Sequence, residues 1–271
     1  MIIYGSLTGI SISELFLGGI GPGIAIVVAL MLVTRHDSIR FNLPREKKAS
    51  PAVRLKVTKD AIWALVLPVV IIGGILGGLF TATEAGVVAA FYAILIGLFV
   101  YREITWRDLH QIFLDACAST AMIMLIVATA SVCSWLLAAA QVPQSIVAYL
   151  TTLSTNPHVI MLLIIIFILL VGCFIETVAA AIILIPILFP IAAQMGYDPV
   201  HFGVVAVITL VFAGVTPPVG VLLFITSGIA KSSFVETCRY LPKYLAAIFA
   251  VLLLSAYVPP IVTFIPDFFL K

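Results

Sequence analysis

Charge is scarce in this sequence. Lys and Arg number 14 and Asp and Glu 12 in 271 residues, 10% together, whereas 63% of the residues are hydrophobic and the mean hydropathy is +1.28. Soluble domains carry about 25% charged residues, so this shortage excludes a soluble globular fold. Cysteine is scarce as well. Cys117, Cys133, Cys173 and Cys238 are scattered through apolar stretches without paired spacing, which speaks against a disulfide framework and for buried free thiols. His36, His110, His158 and His201 form no i, i+4 pair or other ligand pattern, so no metal centre is expected beyond a simple cation. The glycines lack the GxxxxGKS spacing of a nucleotide loop, and GGILGG, 73–78, reads instead as close helix packing. No cofactor and no nucleic-acid partner are expected. Met1–Ile12 lacks the charged start and small-residue cleavage site of a secretory signal, and reads as an internal loop of a longer protein.

What is present is a series of apolar runs near the roughly 20 residues needed to span a bilayer. They fall at about 12–33, 61–80, 86–101, 112–138, 158–174, 178–195, 203–230 and 240–260, about eight passes. The fold class is therefore an all-α polytopic membrane protein, with broken helices and possible re-entrant hairpins. Thr34 to Asp60 carries Arg35, Arg40, Arg45, Lys47, Lys48, Arg54, Lys56 and Lys59, and such clusters are retained on the cytoplasmic side. Alternation from that loop places both ends of the chain outside, provided that 203–230 counts as one interrupted crossing. The loop is a topology signal first; binding anionic lipid is its other reading.

The interruption is the main functional clue. TLVFAGVTPPVGVLLFITS, Thr209 to Ser227, has Pro217 and Pro218 at its centre, and neither carries an amide proton. A helix through Ala213 and Gly214 cannot continue, so the carbonyls of Ala213, Gly214 and Val215 are expected to lose their partners beside the Thr216 hydroxyl. Such an oxygen set suits sodium. Beyond the prolines the chain should resume as a half-helix near Val219, with the amides of Gly220, Val221 and Leu222 facing an anion. A simple proline kink, repaired by neighbouring helices, is the structural alternative.

Three other features stand out. In GCFIET, Gly172 to Thr177, Glu176 is either an ionisable group at membrane depth or a residue near the cytoplasmic end that reaches water; Pro186 and Pro190 follow and should kink that element. In FTATEAG, Phe80 to Gly86, Thr83 as an N-cap with Glu84 in the first turn would make a capped helix start; a polar break lining a substrate path is the other reading. Asp115, Ser119, Thr120, Ser131 and Ser134 lie on 112–138, where hydroxyls commonly bond back to their own helix. The tail through Leu153 leaves 112–155 as either a spanning helix or half of a re-entrant hairpin. An intramembrane enzyme using Glu176 or Asp115 would need a nucleophile and base at recognisable spacing, which the sequence lacks.

The succession GGILGGLFTATEAG, YREITWRDL, GCFIETVAAAIILIPILFPIA, MGYDPVHFGV and TPPVG, over nearly the whole chain, resembles the large membrane subunit of tripartite ATP-independent periplasmic (TRAP) transporters. The resemblance implies a bacterial inner-membrane elevator transporter of two inverted repeats. It would be driven by sodium, fed with organic acids such as C4-dicarboxylates or acidic sugars by a soluble periplasmic binding protein, and completed by a small membrane subunit. It further implies that 1–60 ends the first repeat and includes the basic connecting loop. Residues 61–271 would then be the second repeat, with a transport region at about 112–230. Most of the first repeat would lie outside this sequence. Carried over by position, the resemblance makes Gly172, Ala213, Thr216 and Val219 sodium ligands. Family members usually have Gly at the position of Ala213 and Pro at that of Ala82. A sodium-coupled dicarboxylate symporter without a binding protein, proton coupling through Glu176, and a fragment that folds only against a partner are the rival expectations.

Overall fold

The computed structural model describes residues 1–42, 49–77, 79–141, 145, 156–217, 220, 222, 223, 226, 227 and 231–270, and all the regular structure among them is helical. Two compact units emerge: Met1–Ser38 with Ile123–Lys271, and Ile39–Met122.

The larger unit is organised around one short helix. Its elements are α1 (Ile2–Thr8), α2 (Ile12–Arg40, entering from this unit), the last part of α5 (Trp106–Ala139), α6 (Pro157–Gly172), α7 (Thr177–Gln194), α8 (Pro199–Gly214), α9 (Phe234–Tyr257) and α10 (Pro260–Leu270). Twelve of the sixteen residues of α8 are buried, and a helix that is apolar all round belongs at the centre of a bundle. Accordingly α6, α7, α9 and α10 all pack on it. Phe212 of α8 stacks on Phe249 of α9 at 6.1 Å, and His201 Nε2 lies 2.9 Å from the Ser255 carbonyl. Tyr4 of α1 inserts its ring against Gly203, where a β-carbon would stand 2.5 Å from it, and donates to the Pro199 carbonyl at 3.0 Å. Burial, reinforced by the charge of Asp198, raises the Tyr4 phenol well above its ordinary pKa.

Helix starts follow local rules. Asn156 caps α6 through His158 N at 2.9 Å and Asp198 caps α8 through His201 N at 2.8 Å, each with proline at the first helical position. Pro186 and Pro190 lie inside α7, which is helical through both.

The smaller unit contains α3 (Pro51–Leu76), α4 (Ala82–Leu95) and a π-helical turn, Ile96–Val100. Tyr92 donates to the Trp63 carbonyl and Tyr101 to that of Asp60, each at 2.8 Å, tying α4 and its extension to α3. Gly74 accommodates the Phe80 ring of the following turn rather than a neighbouring helix. The stretch read as a basic loop is shorter than 34–60: α2 remains helical to Arg40, and α3 begins at Pro51 because Ser50 caps it.

Among the described residues, five helices are long and apolar enough to cross a membrane, and three shorter apolar ones, α6, α8 and α10, accompany them. The first and fifth of the long ones expose Met31, Leu32 and Leu254, as expected where hydrocarbon replaces water. Expectations at 142–144 and 146–155 fall outside the described residues.

Candidate site at two helix breaks

α8 stops at Gly214, three residues before Pro217. In a continuing helix the Ala213 carbonyl would bond the amide of residue 217, which proline does not have. The chain tightens instead. Thr216 N donates to the Ala213 carbonyl at 3.0 Å, and Val215 N to that of Phe212 at 3.2 Å. The expectation that the Ala213 carbonyl is left without a partner is thus corrected: it holds one short-range bond and keeps its second lone pair. The Thr216 hydroxyl donates to the Phe212 carbonyl at 2.7 Å, which directs its oxygen lone pairs away from the helix. Gly220 is buried at φ +56°, a left-handed conformation suited to glycine, and its carbonyl accepts from Leu223 N at 2.7 Å. Leu222 and Leu223 are helical again; Pro218, Val219 and Val221 lie outside the described residues.

A second break lies between α6 and α7. α6 ends at Gly172, and Cys173 to Glu176 connect it to α7. Glu176 caps α7, its Oε2 accepting from Val178 N at 2.8 Å and from Ala179 N at 3.0 Å. The carboxylate is exposed within this chain and sits on its own helix terminus, where the dipole favours it.

The two breaks meet. A β-carbon on Gly172 would stand 2.7 Å from that of Ala213, and one on Gly214 would stand 2.9 Å from Thr177 Oγ1. Gly172, Ala213 and Gly214 are all buried. Two residues expected as ligands from distant parts of the sequence, Gly172 and Ala213, are therefore in contact, with Thr216 one turn along. The sequence reading missed Thr177. Nothing in GCFIET marks its hydroxyl, because the contact with Gly214 is tertiary.

Thr83 and Glu84 belong to the smaller unit and have another task. The cap of α4 is Thr81, not Thr83: Glu84 N donates to Thr81 Oγ1 at 3.3 Å, while Glu84 Oε2 accepts from Thr81 N at 2.7 Å. That is a complete capping box. On α5, Asp115 accepts from Gln111 Nε2 at 2.9 Å and Thr129 bonds back to the Leu125 carbonyl. Among the described residues no group of three or more His, Cys, Asp or Glu could hold a metal ion.

Apolar helices of membrane-spanning length, with two interrupted helices abutting at their broken ends, define a polytopic membrane protein. The chain belongs to the large permease family of TRAP transporters: residues 1–261 match the family described as tripartite ATP-independent periplasmic transporter, DctM component. It is 38% identical over 261 residues to the 2,3-diketo-L-gulonate TRAP transporter large permease protein of Escherichia coli, covering 96% of this chain and 61% of that one. It is 37% identical over 270 residues to the sialic acid TRAP transporter large permease protein of Vibrio cholerae, covering 100% and 63%. It is 35% identical over 267 residues to the C4-dicarboxylate TRAP transporter large permease protein of Pseudomonas aeruginosa, covering 98% and 62%. The chain thus spans about three fifths of the length of these relatives.

Proposed function

We propose that this chain forms part of the permease of a sodium-coupled importer of organic acids in the bacterial inner membrane, working with a small membrane subunit and a soluble periplasmic binding protein. The observation that carries the reading is the contact of the two helix breaks. Gly172 meets Ala213, and Thr216 presents hydroxyl lone pairs beside a carbonyl with spare acceptor capacity. Hard oxygen ligands of this kind at a helix C-terminus suit an alkali cation, and opposed half-helices at the midplane are the usual setting for such ions. Val219 completes the proposed ligand set by position.

The substrates named for the three relatives are all acids, which supports a carboxylate cargo. The amides of Gly220, Val221 and Leu222 at the restart after the prolines are the proposed anion-facing groups. Glu176 is already engaged by two amides of its own helix, so the reading favours sodium over a proton carried on that carboxylate.

The test is uptake of a labelled C4-dicarboxylate or sialic acid into vesicles holding the complete transporter, with the pH gradient clamped and sodium replaced by choline. The reading expects uptake to collapse in choline. Undiminished uptake contradicts sodium coupling, and undiminished uptake without the binding protein contradicts the tripartite part.

A further inference from the structure

We propose that the Thr177 hydroxyl is a further oxygen ligand of the coupling cation at the meeting of the two breaks, an inference that rests on the sodium reading above. Three observations place it there. Thr177 is the first residue of α7, so the carbonyl four residues back belongs to Cys173, inside the break rather than in a helical turn. Thr209, Thr216 and Thr226 each donate their hydroxyl to a carbonyl of their own segment, whereas Thr177 makes no such bond among the described residues. Its oxygen instead lies against α8, 2.9 Å from where a β-carbon of Gly214 would stand. Gly214 follows Ala213 and stands two residues before Thr216, so the hydroxyl arrives beside the last turn of α8 with no donor to its oxygen among the described residues.

The placement also gives the glycine at 214 a function. Any side chain there would occupy the position that the Thr177 oxygen approaches. Gly172 does the same on the other side of the contact, bringing α6 up to Ala213. Both glycines let the broken ends close on one another, and Thr177 then supplies, from the first turn of α7, an oxygen that α8 alone cannot. A sodium ion held by Thr177 as well as Thr216 would bridge the two broken helices and couple its own binding to their alignment.

The experiment uses this chain in lipid nanodiscs and measures sodium-dependent protection against thermal unfolding, with choline at equal ionic strength as the reference. Thr177→Val keeps the shape and removes the hydroxyl; Thr177→Ser keeps the hydroxyl. The inference expects sodium affinity to fall about ten- to hundredfold in Thr177→Val. The unfolding temperature in choline should be close to that of the wild type, and Thr177→Ser should retain at least a third of the wild-type affinity. Equal sodium affinity in wild type and Thr177→Val overturns the inference and leaves the sodium reading intact. Equal loss in Thr177→Ser and Thr177→Val assigns Thr177 to packing and also overturns it. A wild type that sodium does not stabilise overturns both together.

Discussion

Gly172 and Ala213, forty-one positions apart in the sequence, touch where α6 and α8 end, so closely that a β-carbon on the glycine would stand 2.7 Å from that of the alanine. The approach leaves no room for an added methyl group between the two helix ends. Gly172→Ala should therefore force the breaks apart, at a cost of about 1–3 kcal/mol for overpacking. Thermal unfolding in detergent and sodium-dependent uptake should fall together, whereas Gly23→Ala, where an added β-carbon meets open space, should leave uptake unchanged.

The start of α4 distinguishes two threonines. Thr81→Ala removes the capping hydroxyl and should destabilise by about 1 kcal/mol, the usual cost of losing an N-cap. Thr83→Ala, two residues later, should stay within the error of the same chemical unfolding experiment.

Asp37 on α2 is nearly buried and pairs with Lys243 of α9 at 2.6 Å. Lys243→Met leaves that carboxylate with the His36 ring, 3.4 Å away, as its remaining side-chain partner and should lower the unfolding temperature clearly, and Asp37→Asn should do the same. The double substitution should cost less than the sum of the two, as read from a double-mutant cycle.

Tyr4 sets an alkaline limit. Its folded pKa is raised above the ordinary 10 by burial and by Asp198. The unfolded chain therefore ionises first, and the stabilisation present below pH 10 is lost as pH rises beyond it. Between pH 9 and pH 11 the unfolding temperature of the wild type should fall more steeply than that of Tyr4→Phe; parallel curves would assign the alkaline loss elsewhere. Tyr197, also raised by burial, adds to the slope in both proteins.

The helical, membrane-spanning character was legible because hydrocarbon demands long apolar runs, and those runs dominate the sequence. The end of α8 before Pro217 was legible for a local reason, the missing amide. What needed coordinates was everything set by contact. The hydrogen bond from Thr216 to the Ala213 carbonyl shows how a chain re-satisfies an acceptor that proline orphans, and no residue pattern encodes it. The sequence left Glu176 open between an ion at membrane depth and a residue that reaches water; that its carboxylate caps the next helix through two amides of the first turn became visible only in the structure. The cap at Thr81 was available in the sequence, since threonine with glutamate three positions on is the capping-box spacing, and two threonines flanking Ala82 obscured it. The meeting of Gly172 with Ala213 and of Thr177 with Gly214 depends on tertiary packing, and only the resemblance brought the first pair onto one list.

Isothermal titration of sodium chloride into this chain in nanodiscs, wild type against Thr216→Ala, tests most directly the proposal that sodium binds where α8 ends. Saturable heat in the wild type with affinity at least tenfold weaker in Thr216→Ala, and none with choline chloride, is the predicted outcome. Identical isotherms for the two proteins would contradict it.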